Sequence, residues 1–345
     1  MLFINELGRR ISLICLFILP ALASAHHGIG GQFDRDAMIE LRGEITRVFW
    51  RNPHVRISLS TLNENGQTVV FEVEALSVSM LRQRGISGAF LNVGDEVTIA
   101  GNPSNRGRNE INLTNVLLPD GREVVLGSSR KPIWSNQALG LSGPYANPGG
   151  GDSSKPELGI FRVWSRVPGT SLFRNFDLDA QVTDAARQAA LAFDPLKDNA
   201  TAGECVEKSM PLVMVNPYPR EFVDQGQYIL FRLEENDTVR TVHMGPDRSS
   251  ANESASPLGY SVGRWEGDTL VVTTTKVFKG QFARGISLSE SLEIVERFTP
   301  SDDGSRLDLS MTLTDPAAFA EPMVLEQQWH YLPNVAVEPY ECAEG

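Results

Sequence analysis

Histidine and cysteine are scarce in this chain: its 345 residues include five of the first and three of the second. There is no CxxC pair, no HExxH run and no histidine pair four residues apart, which excludes a dithiol redox centre and the common zinc-hydrolase helix. No GxSxG, GxxxxGK[ST] or GxGxxG occurs, so a serine nucleophile on an elbow, a phosphate loop and a dinucleotide fold have no support. Lys and Arg number 31 against 43 Asp and Glu, a net charge of −12, so the electrostatic footprint of a nucleic-acid binder is missing. Only one long apolar run exists, Ile11 to Leu22, shorter than the roughly 20 residues that span a bilayer.

That run has a meaning of its own. Arg9 and Arg10 precede it and Ala23-Ser24-Ala25 follows, the layout of a secretory signal with a small-x-small cleavage box. The expectation is export to the periplasm or beyond, with a mature chain starting at His26. Cys15 falls inside the signal, leaving Cys205 and Cys342. In an oxidising compartment two cysteines read as a disulfide. It would close a loop of about 138 residues, worth on the order of 4–5 kcal/mol in chain entropy. Two free thiols are the alternative.

The rest reads as short strands. Val55 to Leu62 alternates, Asn65-Gly66 turns, and Thr68 to Glu74 returns. A helical stretch, Leu76 to Arg84, follows, with Met80 and Leu81 expected inside and Gly85 as its cap. Strands at Glu96 to Gly101, Ile111 to Leu118 and Glu123 to Leu126 complete the order of a five-stranded OB-type barrel. Clusters of Gly, Ser, Pro and Asn after residue 126 mark a linker or arm, and Thr183 to Phe193 carries apolar residues at helical spacing. From Tyr228 to Tyr331, strands of 6–10 residues separated by tight turns predict an antiparallel barrel or curved sheet, lipocalin-like in general form. The predicted division is a signal at 1–25, an OB-like domain at 26–126, a linker or arm at 127–160 and an antiparallel β domain at 161–345.

Two runs of motifs resemble known exported families. His26-His27-Gly28, Phe33-Asp34, Gly43-Glu44-Ile45, Trp50-Arg51-Asn52-Pro53-His54 and Met80-Leu81-Arg82-Gln83-Arg84-Gly85 resemble a family of exported bacterial proteins of unknown function. Cys205, Met210-Pro211, Asn216-Pro217-Tyr218-Pro219, the run Gly263-Arg264-Trp265-Glu266-Gly267-Asp268-Thr269-Leu270-Val271-Val272 and Tyr340-Glu341-Cys342 resemble a second, uncharacterised exported family. Neither resemblance implies an activity. Where the second family carries a Pro-His-Ser-Glu tract, this chain has Ser287-Leu288-Ser289-Glu290, so no role of that histidine carries over.

Three of the five histidines fall within residues 26–54. The α-amine and ring of His26 would chelate, and His27 or His54 would add a third nitrogen, a set that suits copper. The plainer alternative leaves His26 and His27 unstructured and His54 bonded to a backbone carbonyl. In the second domain His243 and His330, with Glu290, are the candidates for acid–base chemistry, provided their strands share a cavity. Trp265-Glu266-Gly267-Asp268-Thr269 reads as a turn, with Gly267 supplying a positive φ and Trp265 packing the core. Three functions compete. One is an exported protein binding a small apolar ligand, with or without copper. A second is an enzyme acting on a lipophilic molecule by acid–base or copper redox chemistry. The third is an accessory protein docking on a periplasmic or outer-membrane partner. Nucleic acid is not expected as a partner.

Overall fold

The computed structural model describes residues 32–343 except 87–89, 128–130, 142–157, 168–169, 171, 174–175, 178–180, 194–204, 246–249, 251 and 279. The chain is mainly β and forms two closed barrels. The signal segment, His26 and His27 lie outside the described residues.

The N-terminal barrel uses β1 (Ile39–Phe49), β2 (Arg56–Leu62), β3 (Thr68–Glu74), β4 (Glu96–Pro103) and β5 (Glu110–Leu117). The order β3-β2-β1-β4-β5 closes through a parallel pairing of β3 with β5, the OB-type arrangement expected from the strand order. The Asn63 side chain accepts from the backbone N–H of Asn65 and Gln67, which shapes the turn between β2 and β3. Helix α1 (Val78–Gln83) follows β3, capped by the Ser77 hydroxyl on Met80 N–H. Leu81 is fully buried among Ile45, Ile57, Leu59, Val97 and Ile111, but Met80, expected beside it, is only half-buried. Ser79 takes the second buried position because this face of the helix meets the other barrel. Beyond β5, β6 (Glu123–Val125) and β7 (Ala138–Leu139) extend the sheet. The buried Glu123 carboxylate accepts from the N–H of Ile133, Trp134 and Ser135 and from Asn115, so residues 131–141 lie along this barrel. Burial alone would raise its pKa; those four donors hold it below the usual value.

The C-terminal barrel has nine strands: β8 (Val163–Arg166), β9 (Arg220–Asp224), β10 (Tyr228–Leu233), β11 (Thr238–Met244), β12 (Tyr260–Glu266), β13 (Thr269–Thr275), β14 (Glu293–Pro300), β15 (Arg306–Thr314) and β16 (Met323–Tyr331). It closes in the order β10 through β16, then β8 and β9. All neighbours are antiparallel except β11 and β12, whose parallel pairing is three residues long. Helix α2 (Asp184–Ala192), capped by Thr183, corresponds to the helix expected from the alanine spacing. The disulfide between Cys205 and Cys342 is formed.

The interior of this barrel is filled by its own side chains. Phe222 stacks on Phe231 at 4.3 Å, Phe231 and Phe298 pack on Trp329 at 6.0 and 5.6 Å, and the Arg220 guanidinium lies 4.6 Å over the Trp329 ring. Beside them sits a buried ion pair. Arg240 binds both carboxylate oxygens of Glu296, and also Ser261 Oγ and Thr274 Oγ1. Two desolvated charges are tolerated because the pair is bidentate and extended by hydroxyls. Arg240→Ala should therefore cost about 3–5 kcal/mol in urea denaturation, whereas Arg240→Met combined with Glu296→Leu should cost clearly less.

Candidate functional site

Of the metal candidates only His54 is among the described residues, and the acid–base candidates stand on separate elements. Nδ1 of His54 lies 3.2 Å from the Ala75 carbonyl oxygen and 3.5 Å from a Glu74 carboxylate oxygen. Among the described residues no group of three His, Cys, Asp or Glu stands close enough to hold a metal ion. His243 alternates with the inward Val242 and stacks on Tyr260 at 4.7 Å. His330 lies on β16, which is separated from β11 by β8, β9 and β10 on the shorter way round the barrel. It is opposite Arg306 and Ser165 in register, and its 4 % exposure lowers its pKa to about 4. Glu290 is exposed ahead of β14, at the other end from the 301–305 turn that adjoins β16. The two strands are not neighbours, and both histidines alternate with the inward residues of their strands, Val242 and Trp329.

The motif residues meet elsewhere, at the junction of the two barrels. Glu234, at the end of β10, is fully buried. Its carboxylate takes a 2.8 Å bond from Arg82 of α1, a bond from Ser79 and one from the backbone N–H of Glu338. Burial raises its pKa; the Ser79 and Arg82 contacts oppose the rise. Asn52 donates to the Tyr340 carbonyl and to Ser79 Oγ, and Ala343 N–H donates back to the Asn52 carbonyl. Tyr340 packs edge-on against Tyr218 at 5.5 Å, and its N–H is held by Asp237. Burial and the nearby Glu235 push Tyr218 up to about 12, and burial with Tyr218 beside it raises Tyr340 as well. Glu235 is in turn bound by Lys208 and Asn216. The disulfide holds the C-terminal strap beside Asn52, which bridges Cys342. These contacts join the two barrels.

A groove at one end of the C-terminal barrel has a different character. The β12–β13 turn, the β14–β15 turn and residues 158–162 surround a cavity of about 560 Å³. Ile160 is buried against the barrel core and closes that end, leaving the groove outside it. Trp265 lines the groove. The sequence predicts that it packs the core, and its register is indeed inward, in phase with Ser261 and Gly263. It stands beyond the last filled layer, however, and is 44 % exposed, with its ring 6.1 Å from Phe161. Gly267 has φ +63 in the tight turn that follows, as expected. Gly304 has φ +65, and a Cβ there would lie 3.0 Å from an Arg162 guanidinium nitrogen. Asp303 accepts from Ser301 Oγ and from the backbone and hydroxyl of Ser305, which shapes the second turn and lowers its pKa to about 2. Sequence reading missed this site because Phe161, Trp265 and Asp302 come from three separated segments. The one available signal was Trp265 beside a tight turn.

Two outcomes are expected. Arg82→Ala removes the cation from a buried carboxylate and should destabilise the protein by about 2–4 kcal/mol in chemical denaturation. His330 is neutral in the fold and titrates in the unfolded chain near 6.5. The unfolded state therefore binds the extra proton between pH 6.5 and about 4, and stability falls as pH drops through that window. The full effect is about 3 kcal/mol. Glu234, with its raised pKa, acts in the opposite direction, so the comparison is between the wild type and His330→Gln. The variant should lose the His330 part of the slope.

Residues 15–112 match a family model described as a family of unknown function, DUF6152. No curated protein matches the chain. The matched span contains His26-His27-Gly28 and Asn52-Pro53-His54, so the N-terminal barrel is similar to DUF6152 as far as β5.

Proposed function

We propose that this is an exported binding protein that holds a small ligand with an apolar face in the groove at Trp265 and Phe161. The observation that carries the reading is a large aromatic ring left 44 % exposed at a cavity of about 560 Å³, at the end of a barrel that holds a packed aromatic cluster. Here the exposed ring lines a concave site beside a second aromatic residue, and pockets of this volume match small molecules. Two turns and a barrel-end plug frame the groove, so a ligand would meet a prearranged surface and little ordering cost would oppose binding. An oxidising compartment is supported by the Cys205–Cys342 disulfide together with the signal-like start of the chain.

The neutral probe N-phenyl-1-naphthylamine should bind the purified protein with enhanced fluorescence and quench part of the tryptophan emission. Trp265→Ala should weaken this by about tenfold or more, because ring contact of this kind is worth over 1 kcal/mol. Equal affinity in the variant would sink the assignment of this groove.

A further inference from the structure

The chemical class of the ligand follows from the charges around the same groove, and the inference rests on the groove being the binding site. Four charged side chains adjoin or line it: Arg162, Glu266, Asp268 and Asp302. Two of them are committed to the protein. The Arg162 side chain is 5 % exposed, its guanidinium lies 4.9 Å over the Tyr331 ring, and Gly304 packs against it. Glu266 is bound by Arg264 and Arg297 on the outer face of the sheet.

Asp268 and Asp302 differ. Both are exposed on the turns that frame the groove, and neither has a hydrogen bond or ion pair among the described residues. The turn bearing Asp302 is fixed by Asp303, which spends its own carboxylate on Ser301 and Ser305. Among the described lining residues the groove therefore combines an aromatic wall with two uncommitted carboxylates, and the one lining cation, Arg162, is buried against Gly304 and Tyr331. An aromatic face and carboxylates attract the same thing, a positive charge on an apolar body. The net charge of −12 adds a long-range field of the same sign.

We propose that the groove takes a small organic cation, an amine or quaternary ammonium whose apolar or aromatic body lies against Trp265 and Phe161 while its charge faces Asp268 and Asp302. A neutral molecule of the same shape would use only the aromatic wall. An anion would be repelled.

The test uses three probes with one ring and different charges: benzyltrimethylammonium, benzyl alcohol and benzoate, titrated calorimetrically into the full-length mature protein. The cation should bind about tenfold more tightly than the alcohol at low salt, and benzoate more weakly than either. Raising the salt to about 0.5 M should shrink the preference, since exposed charges are screened. Asp268→Asn with Asp302→Asn should remove the preference while leaving alcohol affinity unchanged, which also shows that the groove is intact; the single variants should each lose part of it. If cation and alcohol bind equally and both respond to Trp265→Ala, the charge class is overturned and the groove reading stands. If none of the three binds, both fall.

Discussion

The carboxylate of Glu234 is the group on which the joining of the two barrels depends. Removing a charge from water costs several kcal/mol unless partners replace the lost solvation. Its partners come from two other parts of the chain: Ser79 and Arg82 from the helix of the first barrel and Glu338 from the C-terminal strap, while Glu234 itself follows β10 of the second barrel. The carboxylate thus ties the helix, the strap and the second barrel together, and the disulfide keeps the strap in place beside Asn52. Tyr218 and Tyr340 then exclude water from the same region, and the low dielectric they create strengthens each remaining polar contact.

Both barrels carry packed cores. In the first, Leu81 is buried in the core; in the second, four aromatic rings and the Arg240–Glu296 pair leave the space inside to side chains. A barrel filled in this way makes a stiff scaffold with its chemistry on the rim. The turns at one end then serve as the adaptable part, as loops on rigid sheets generally do. Trp265 and the two aspartates stand there because the strand register carries them past the last packed layer.

Much of the fold was legible. Alternation in Val55 to Leu62, the Asn65-Gly66 turn and the helix after β3 led directly to the OB-type order, and the strands between Tyr228 and Tyr331 have the 6–10-residue lengths expected of them. The strands β8 and β9 were not legible. They are four and five residues long; Val163–Arg166 buries adjacent residues, and Arg220–Asp224 puts a charged side chain, Arg220, on its buried face beside Phe222, so neither shows an apolar two-residue period. They form strands because a barrel with open edges would leave backbone groups unpaired. The candidate histidines show the opposite limit. His243 and His330 have the right chemistry and similar patterns, yet they sit on strands that do not adjoin, and a linear pattern carries no strand order.

What the sequence determined by itself is local: turn positions, strand alternation, the two capped helices and a cysteine pair suited to an oxidising compartment. These depend on residues within a few positions of one another or on simple composition. What only the tertiary structure decided is which residues share a space. Glu234 reaches Arg82 across 152 positions, Asn52 reaches Tyr340 across 288, and Trp265 is exposed although its register points inward. The physical reason is that burial and pairing are properties of closure. A side chain's surroundings are set by where the barrels seal and where they stop being filled, and neither is written in any single stretch of chain.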